Sequence, residues 1–177
     1  MELRFIHKDG LDAAEVVSDE YADVYLDIRA EAPYNSGPNF QRHRYLDRTR
    51  RQLEGKGFHL VAARDGDVLA GFAFGLTFPA DRWWGGDVTP PPAEVLAEEK
   101  FAVIELNLRR EYRGQGHGRR LLSELLQDRP EPWAMLLSLP AVPAHAMYEH
   151  WGWQVVGTVR PFPDADLADV MARPTPH

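Results

Sequence analysis

The sequence contains no cysteine among its 177 residues. This absence excludes disulfide bonds, catalysis by a thiolate and metal sites built from thiolates. No apolar run approaches the ~20 residues that a membrane-spanning helix requires. The N-terminus, Met1 to Phe5, passes directly into charged residues without the apolar segment of a secretion signal. These observations predict a cytoplasmic protein that has no membrane partner.

Basic residues are also fewer than acidic ones, which gives a formal net charge of −7 at pH 7. Proteins that bind nucleic acid through its phosphates usually present a basic face, so this balance argues against a nucleic-acid partner. The arginines of the segment 42–51 are predicted to form the solvated surface of a helix instead. An acidic protein attracts cationic substrates, although a surface that only maintains solubility explains the charge equally well.

Apolar spacing and turn signals predict helices and strands in alternation within one domain, residues 1–177. A helix is expected from the cap at Ser18 to before Pro33, and a second from Phe40 to Leu53. The remaining predicted elements are an antiparallel strand pair at 58–63 and 68–78, a long connection at 79–99, strands at 101–108 and 134–139, a helix ending near 127, a short helix at 144–151, and strands at 154–159 and 167–172.

One stretch, REYRGQGHGRR at residues 110–120, combines glycines with arginines between a predicted strand and a leucine-rich helix. A glycine-rich turn at a helix start exposes unpaired backbone N–H groups at the positive end of the helix dipole. Glycine has no Cβ to keep phosphate oxygens away, and arginines supply counter-charge. The stretch therefore predicts a phosphate or pyrophosphate site. The alternatives are a turn kept for packing and a solvated cluster of arginines.

Two common phosphate-binding motifs do not fit this stretch. The nucleoside-triphosphate loop requires Gly-Lys-Ser/Thr, and the turn contains no lysine. The dinucleotide fingerprint requires glycine or alanine three positions after its second glycine, where this chain has Arg119. Kinase and dehydrogenase functions are thereby disfavoured.

The turn resembles the acetyl-coenzyme A signature of the Gcn5-related N-acetyltransferases (GNAT), Arg/Gln-x-x-Gly-x-Gly/Ala, in the segment RGQGHG at 113–118. The preceding ELNLRREY is similar to the central strand of that family. The later AHAMYEHWGWQVVG is similar to the family's tyrosine-bearing helix and to the strand that follows it. The resemblance is strongest over residues 101–157. The segments AEAPY, GFHLVAARDGDVLAGFAFG and RPFPDA further resemble actinobacterial-type members.

The resemblance implies an α+β fold with a mixed, mostly antiparallel central sheet that is splayed at its central strand and flanked by helices. It also implies acetyl-coenzyme A as the acetyl donor. In the family, backbone groups of the central strand pair with the pantetheine arm, and the turn wraps the pyrophosphate. The matching residues here are Leu106, Asn107, Leu108, Arg113, Gly114, Gln115, Gly116, His117, Gly118 and Arg119. One departure is the segment 140–143, PAVP, where many relatives have an asparagine that contacts the pantetheine.

By the same resemblance, a primary amine attacks the thioester directly in a ternary complex, and Tyr148 protonates the departing sulfur. A tyrosine that only packs on its helix is the alternative. Relatives that use a base on the central strand place it at positions matching Ala102 or Ile104, and neither side chain accepts a proton. Glu105 lies one residue out of phase and is the candidate base if a β-bulge turns it toward the cleft. A structural ion pair or an exposed carboxylate is the alternative.

Aromatic residues predict the acceptor pocket: Tyr34 and Phe40 on one wall, Trp83 and Trp84 in the long connection. Ordinary loop anchoring is the competing interpretation. The predicted acceptor is a small-molecule or peptide amine, and a homodimer paired through the C-terminal strands is possible by resemblance. No metal site is predicted, because His145 and His150 lie on different helical faces. A protein of this fold that binds acyl-coenzyme A as a sensor, without turnover, is the alternative function.

Overall fold

A computed structural model describes residues 2–176. Eight strands are present among these residues: β1 Arg4–Asp9, β2 His59–Asp65, β3 Val68–Phe78, β4 Asp87–Val88, β5 Lys100–Leu108, β6 Trp133–Ser138, β7 Gln154–Arg160 and β8 Ala168–Pro174. The α-helices are α1 Asp19–Arg29, α2 Arg42–Leu53, α3 Ala93–Leu96, α4 His117–Leu126 and α5 Pro143–His150. Short 3-10 segments cover Gly10–Val17, Pro38–Phe40 and Arg110–Tyr112.

The strands form one sheet in the order β1-β2-β3-β5-β6-β8-β7-β4. The pairs β1–β2, β2–β3, β6–β8, β8–β7 and β7–β4 are antiparallel, and β5–β6 is parallel. The predicted α+β class with a mixed, mostly antiparallel sheet flanked by helices is therefore confirmed. Within residues 2–176, no helix is both long and apolar enough to cross a bilayer.

The chain divides into two compact units, and β3 and β5 contribute residues to both. The first unit contains the chain up to Leu76 together with Ile104–Gln127. Its core is rich in aromatic rings: Tyr21 on α1 lies 4.9 Å from the ring of Phe72, and Tyr25 stacks on Tyr45 of α2 at 4.4 Å. The helical spacing expected for α1 is confirmed, because its apolar face is buried.

The second unit contains Thr77–Val103 and the chain from Asp128 onward. Lys100 and Glu131 are among the ionisable side chains that are buried in it. Lys100 at the start of β5 donates hydrogen bonds to the carbonyls of Pro79 and Leu96, each at 3.1 Å, and so joins both ends of the long connection. Burial lowers the pKa of Lys100. Glu131 accepts hydrogen bonds from Arg129 and Thr77.

Two local features differ from the sequence prediction. Strand β1 was not anticipated, because RFIHKD is a short edge strand of exposed and half-buried residues without a clear apolar alternation. Helix α2 begins at Arg42 rather than at Phe40, and its buried face is formed by Tyr45, Thr49 and Leu53. The prediction of one domain over residues 1–177 stays a prediction.

Candidate functional site

The side chains of β5 alternate between two helices of the first unit. Glu105 and Asn107 point toward α1, where both contact Arg29. Leu108 points the other way, and its Cδ2 lies 3.9 Å from the position that a Cβ on Gly118 of α4 would occupy. This alternation follows from the two-residue period of a strand.

Three polar side chains form a closed, part-buried cluster on the α1 side of β5. Arg29 donates to Asn107 Oδ1 at 2.9 Å and to Glu105 Oε2 at 2.8 Å. Asn107 in turn donates to the same Glu105 oxygen at 3.1 Å. The side chains of Arg29 and Glu105 are only 13% and 10% exposed, so the ion pair is largely withdrawn from water. The ion-pair alternative for Glu105 is therefore present in the structure.

Aromatic rings cover the guanidinium group of Arg29. Its Cζ lies 4.6 Å from the ring centre of Tyr25, 4.7 Å from that of Tyr34 and 5.9 Å from that of Phe40. The rings of Tyr34 and Phe40 also meet edge to face at 5.2 Å. Burial, followed by the charge of Glu105, raises the pKa of Tyr25 to about 12. Two residues predicted for the acceptor wall therefore lie together around a residue that the sequence did not single out.

The backbone of β5 divides its hydrogen-bonding groups between two edges. The N–H of Arg109, directly after the strand, donates to Ala70 of β3 at 2.9 Å. By alternation, the backbone groups of Leu106 and Leu108 point away from β3. The ladder with β6 pairs Lys100 with Trp133 through Val103 with Leu136, in the N-terminal half of β5. The carbonyl of Leu108 accepts a hydrogen bond from Arg113 Nε at 2.9 Å.

The turn between β5 and α4 has the conformation that its glycines allow. Gly114 and Gly116 have φ angles of +75° and +82°, in the left-handed region that other residues rarely adopt. No atom lies within 4 Å of a Cβ placed on either residue, so the space beside the backbone is open. This open space is what an anion needs in order to reach the backbone N–H groups.

The start of α4 supplies the donors of this turn. The N–H of Arg120 donates to the carbonyl of Gly116, so the N–H groups of His117 and Gly118 lie ahead of the first hydrogen bond of α4 and have no acceptor within the helix. In addition, Nε2 of His117 is buried and has no hydrogen-bond partner among the described residues. Open space, unpaired backbone donors and an unpaired ring nitrogen fit a bound phosphate or pyrophosphate group.

The arginines around the turn are mostly paired with acidic side chains. Arg113 binds Glu31 through two hydrogen bonds of 2.7 and 3.0 Å, and Arg120 binds Glu124 at 2.7 Å. The hydrogen bond from Arg113 holds the pKa of Glu31 below its usual value. An anion at this turn would therefore depend on the backbone N–H groups more than on the guanidinium charge that the sequence pattern emphasised.

In the second unit, Tyr148 lies on α5 and is 8% exposed. Its ring meets Trp151 and Trp153 edge to face at 6.0 and 6.2 Å. One turn earlier on the helix, His145 is held between two carboxylates, with Nε2 2.8 Å from Asp169 and Nδ1 3.0 Å from Glu149. The contact with Asp169 joins α5 to β8 and fixes the helix that carries Tyr148.

The two tryptophans of the long connection are anchored in the second unit. Trp83 and Trp84 pack against the buried cluster of Val159, Ala168 and Val170. The indole N–H of Trp84 is buried without an acceptor among the described residues. Packing thus explains the burial of both rings. The role of Trp83 and Trp84 in binding the acceptor stays a prediction.

No group of three or more metal-ligating side chains is placed together within residues 2–176.

The sequence profile of the acetyltransferase (GNAT) family matches residues 20–153. No curated protein matches the chain by sequence at a significant level. The actinobacterial subgroup resemblance stays a prediction.

Solved structures share the fold at low sequence identity. A putative GNAT acetyltransferase from Desulfovibrio desulfuricans is 15% identical, covers 99% of this chain and 100% of its own, and gives a TM-score of 0.64. YncA, a putative acetyltransferase from Salmonella typhimurium solved with acetyl-coenzyme A, is 15% identical over 100% and 96% of the two chains, with a TM-score of 0.61. The ribosomal-protein-S18-alanine N-acetyltransferase of Escherichia coli is 18% identical over 99% and 96%, with a TM-score of 0.60.

Proposed function

The chain belongs to the acetyltransferase (GNAT) family, and we propose that it transfers an acetyl group from acetyl-coenzyme A to a primary amine of a small molecule or a peptide. The observation that carries this proposal is the turn before α4, where two left-handed glycines leave open space beside the backbone N–H groups that begin the helix. The structure with acetyl-coenzyme A from Salmonella typhimurium has the same fold and supports this choice of donor.

The proposal assigns acetyl-coenzyme A to two parts of the first unit. The N–H groups of the Gly114–Gly118 turn would hold its pyrophosphate, and the backbone of Leu106 and Leu108, which points away from β3, would hold the pantetheine arm. When bound, the molecule supplies the thioester that an amine can attack. The carbonyl of Leu108 already accepts a hydrogen bond from Arg113, so Leu106 is left as the main carbonyl for this pairing.

Glu105 is assigned to the amine on the α1 side of β5, without the β-bulge that the sequence led us to expect, because Glu105 and Asn107 both contact Arg29. The hydrogen bonds that Arg29 and Asn107 donate to Glu105 are both on Oε2. Oε1 is therefore the oxygen that would accept a hydrogen bond from the amine, directly or through a water molecule. Because Oε2 is already engaged by Arg29, the proposed part of the carboxylate is to orient the amine and relay its proton to water.

Tyr148 is assigned to the departing sulfur on the family pattern. Its burial between two indole rings holds the phenol in one orientation, which is what a proton donor at a fixed atom requires. The substitution Tyr148→Phe keeps the ring and removes only the hydroxyl.

Purified protein with acetyl-coenzyme A and a panel of primary amines tests the proposal by thiol release. We expect release that depends on the amine, and a fall of about 10²-fold or more in kcat for Tyr148→Phe with little change in the affinity for coenzyme A. Tyr45→Phe is a matched control, because the hydroxyl that it removes is also buried and donates to the backbone carbonyl of Val16. Equal kcat values for Tyr148→Phe and the wild type would remove the role assigned to Tyr148.

A non-catalytic acyl-coenzyme A sensor is the second candidate. It is favoured by one observation: Ala102 and Ile104 offer no base, and the nearest carboxylate on β5 is engaged by Arg29. Calorimetric binding of acetyl-coenzyme A without thiol release for any amine of the panel would favour the sensor over the enzyme.

A further inference from the structure

The charges around Tyr34 and Phe40 cancel locally, although the whole chain is acidic. Glu105, the carboxylate on this face of β5, is matched by Arg29 at 2.8 Å. The next carboxylate toward the glycine turn, Glu31, is matched by Arg113 at 2.7 Å. The net charge of −7 of the whole chain is therefore not reflected in the paired charges near Tyr34 and Phe40.

A further cation lies on the same side of α1. Arg48 of α2 donates to the hydroxyl of Tyr25 at 3.1 Å and to the carbonyl of Asn39 at 3.0 Å. Neither partner is a carboxylate. Among these described contacts, each carboxylate near the Arg29 guanidinium has a cationic partner, so neither of the two is left for a second ammonium group.

We propose that Arg29 is a specificity-determining residue: by neutralising Glu105, it makes this site select primary amines whose remaining part is uncharged over diamines of the same length. The inference rests on the proposed function, and it names the class of acceptor. It reverses the preference for cationic acceptors that the overall charge suggests.

The physical basis is the cost of desolvation. A second ammonium group loses hydration when it enters a part-buried site. Only an ion pair with a carboxylate that has no other cationic partner offsets this free energy of desolvation. Here the carboxylate is already paired, and one face of Tyr34 is already used by the guanidinium of Arg29 at 4.7 Å. An uncharged alkyl or aromatic remainder makes no such demand and gains from contact with the rings of Tyr34 and Phe40.

The test compares pentylamine with 1,5-diaminopentane as acceptors, using the ratio of their kcat/KM values. We expect the wild type to favour pentylamine. Arg29→Gln leaves Glu105 unpaired, so the ratio should move toward the diamine by about tenfold or more. Arg29→Lys retains the charge and should keep the wild-type preference.

A charge cycle makes the test specific. Glu105→Gln leaves Arg29 unneutralised and should move the ratio further toward pentylamine. The double variant Arg29→Gln with Glu105→Gln restores local neutrality and should return the ratio close to that of the wild type. Because each value is a ratio between two amines, a loss of kcat common to both amines cancels.

The outcomes separate the two levels of the proposal. Thermal unfolding and coenzyme A titration identify variants that do not fold, and in that case Arg29→Lys is still expected to keep the wild-type ratio and Glu105→Gln to move it toward pentylamine. A wild type that prefers the diamine, or ratios that do not change across the cycle, would overturn the inference and leave the enzyme intact. Absence of thiol release with any amine, despite binding of coenzyme A, would overturn the proposed function and the inference with it.

Discussion

The left-handed conformation of Gly116 gives a prediction whose size follows from the structure. At a φ angle of +82°, an alanine brings its Cβ close to the following carbonyl, which costs about 1–2 kcal/mol. No other atom lies within 4 Å of that Cβ, so no clash adds to this cost. For a chain of this size, each kcal/mol corresponds to about 2–4 °C in Tm, so Gly116→Ala should unfold about 2–8 °C lower.

Gly118→Ala is the matched control, because it adds the same methyl group two residues later. Gly118 has no positive φ angle, and its added Cβ would meet only Leu108 Cδ2 at 3.9 Å, an ordinary contact. It lies inside α4, where alanine is favoured over glycine by about 1 kcal/mol. Its Tm should therefore equal or exceed that of the wild type.

Calorimetric titration with coenzyme A then tests what the turn binds. The Cβ at position 116 projects into the open space through which an anion would reach the backbone donors. Loss of one charge-assisted hydrogen bond is worth about 1.5–3 kcal/mol, or about a 10- to 100-fold weaker Kd for Gly116→Ala. A Gly116→Ala protein that binds coenzyme A as tightly as the wild type, while its Tm falls as expected, would refute the assignment of the turn to the pyrophosphate.

Three further predictions concern stability. The side chain of Glu131 is only 2% exposed, and Glu131→Gln leaves Arg129 without its ion-pair partner. Urea titrations should show that the free energy of unfolding falls by about 3–5 kcal/mol. A loss below about 1 kcal/mol would contradict the role given to the pair. Hydrogen bonds from Arg129 and Thr77 outweigh burial and lower the pKa of Glu131 from 4.5 in the folded state, so its stabilisation is present above that value and is lost as the pH falls through the lower folded pKa. Urea midpoints from pH 7 down to 3 should therefore fall less for Glu131→Gln than for the wild type, and parallel curves would argue against the linkage. Tyr45→Phe removes the 2.8 Å hydrogen bond to the buried Val16 carbonyl and should cost about 1–3 kcal/mol, and a value near zero would mean that the carbonyl finds another donor.

Most of the fold was predictable because its signals are local. The apolar spacing of α1, the Asp65-Gly66-Asp67 turn between β2 and β3, and the strand–turn–helix order around Gly116 all depend on neighbours in the sequence. The boundaries agree to within a few residues. Strand β1 escaped prediction because its place is set by pairing with β2, from Arg4 opposite Arg64 to Asp9 opposite His59, and not by its own pattern.

The candidate site was predictable only in its contiguous part. The glycines of the turn lie close together in the sequence, whereas Arg29 is 76 residues from Glu105 and 78 from Asn107. Nothing in the α1 pattern separates Arg29 from the other charged residues of that helix. A polar residue at every second position of an otherwise apolar strand, as at Glu105 and Asn107, is the one signal that a buried partner was required.

The phase of β5 decides what Glu105 can do. A carboxylate at the positions of Ala102 or Ile104 would share the face of Leu108, which points toward α4, whereas Glu105 shares the opposite face with Asn107 and meets α1. No change of alternation separates Glu105 from Asn107, so its direction is that of a regular strand. A buried carboxylate on this face has to be paired, and Arg29 provides that pairing. In the proposed relay, the proton of an amine held at Glu105 Oε1 passes to water. It follows that kcat for Glu105→Gln should fall without losing its rise with pH, because that rise reflects deprotonation of the amine itself; a rise with pH that disappears in Glu105→Gln would show that the carboxylate is the base.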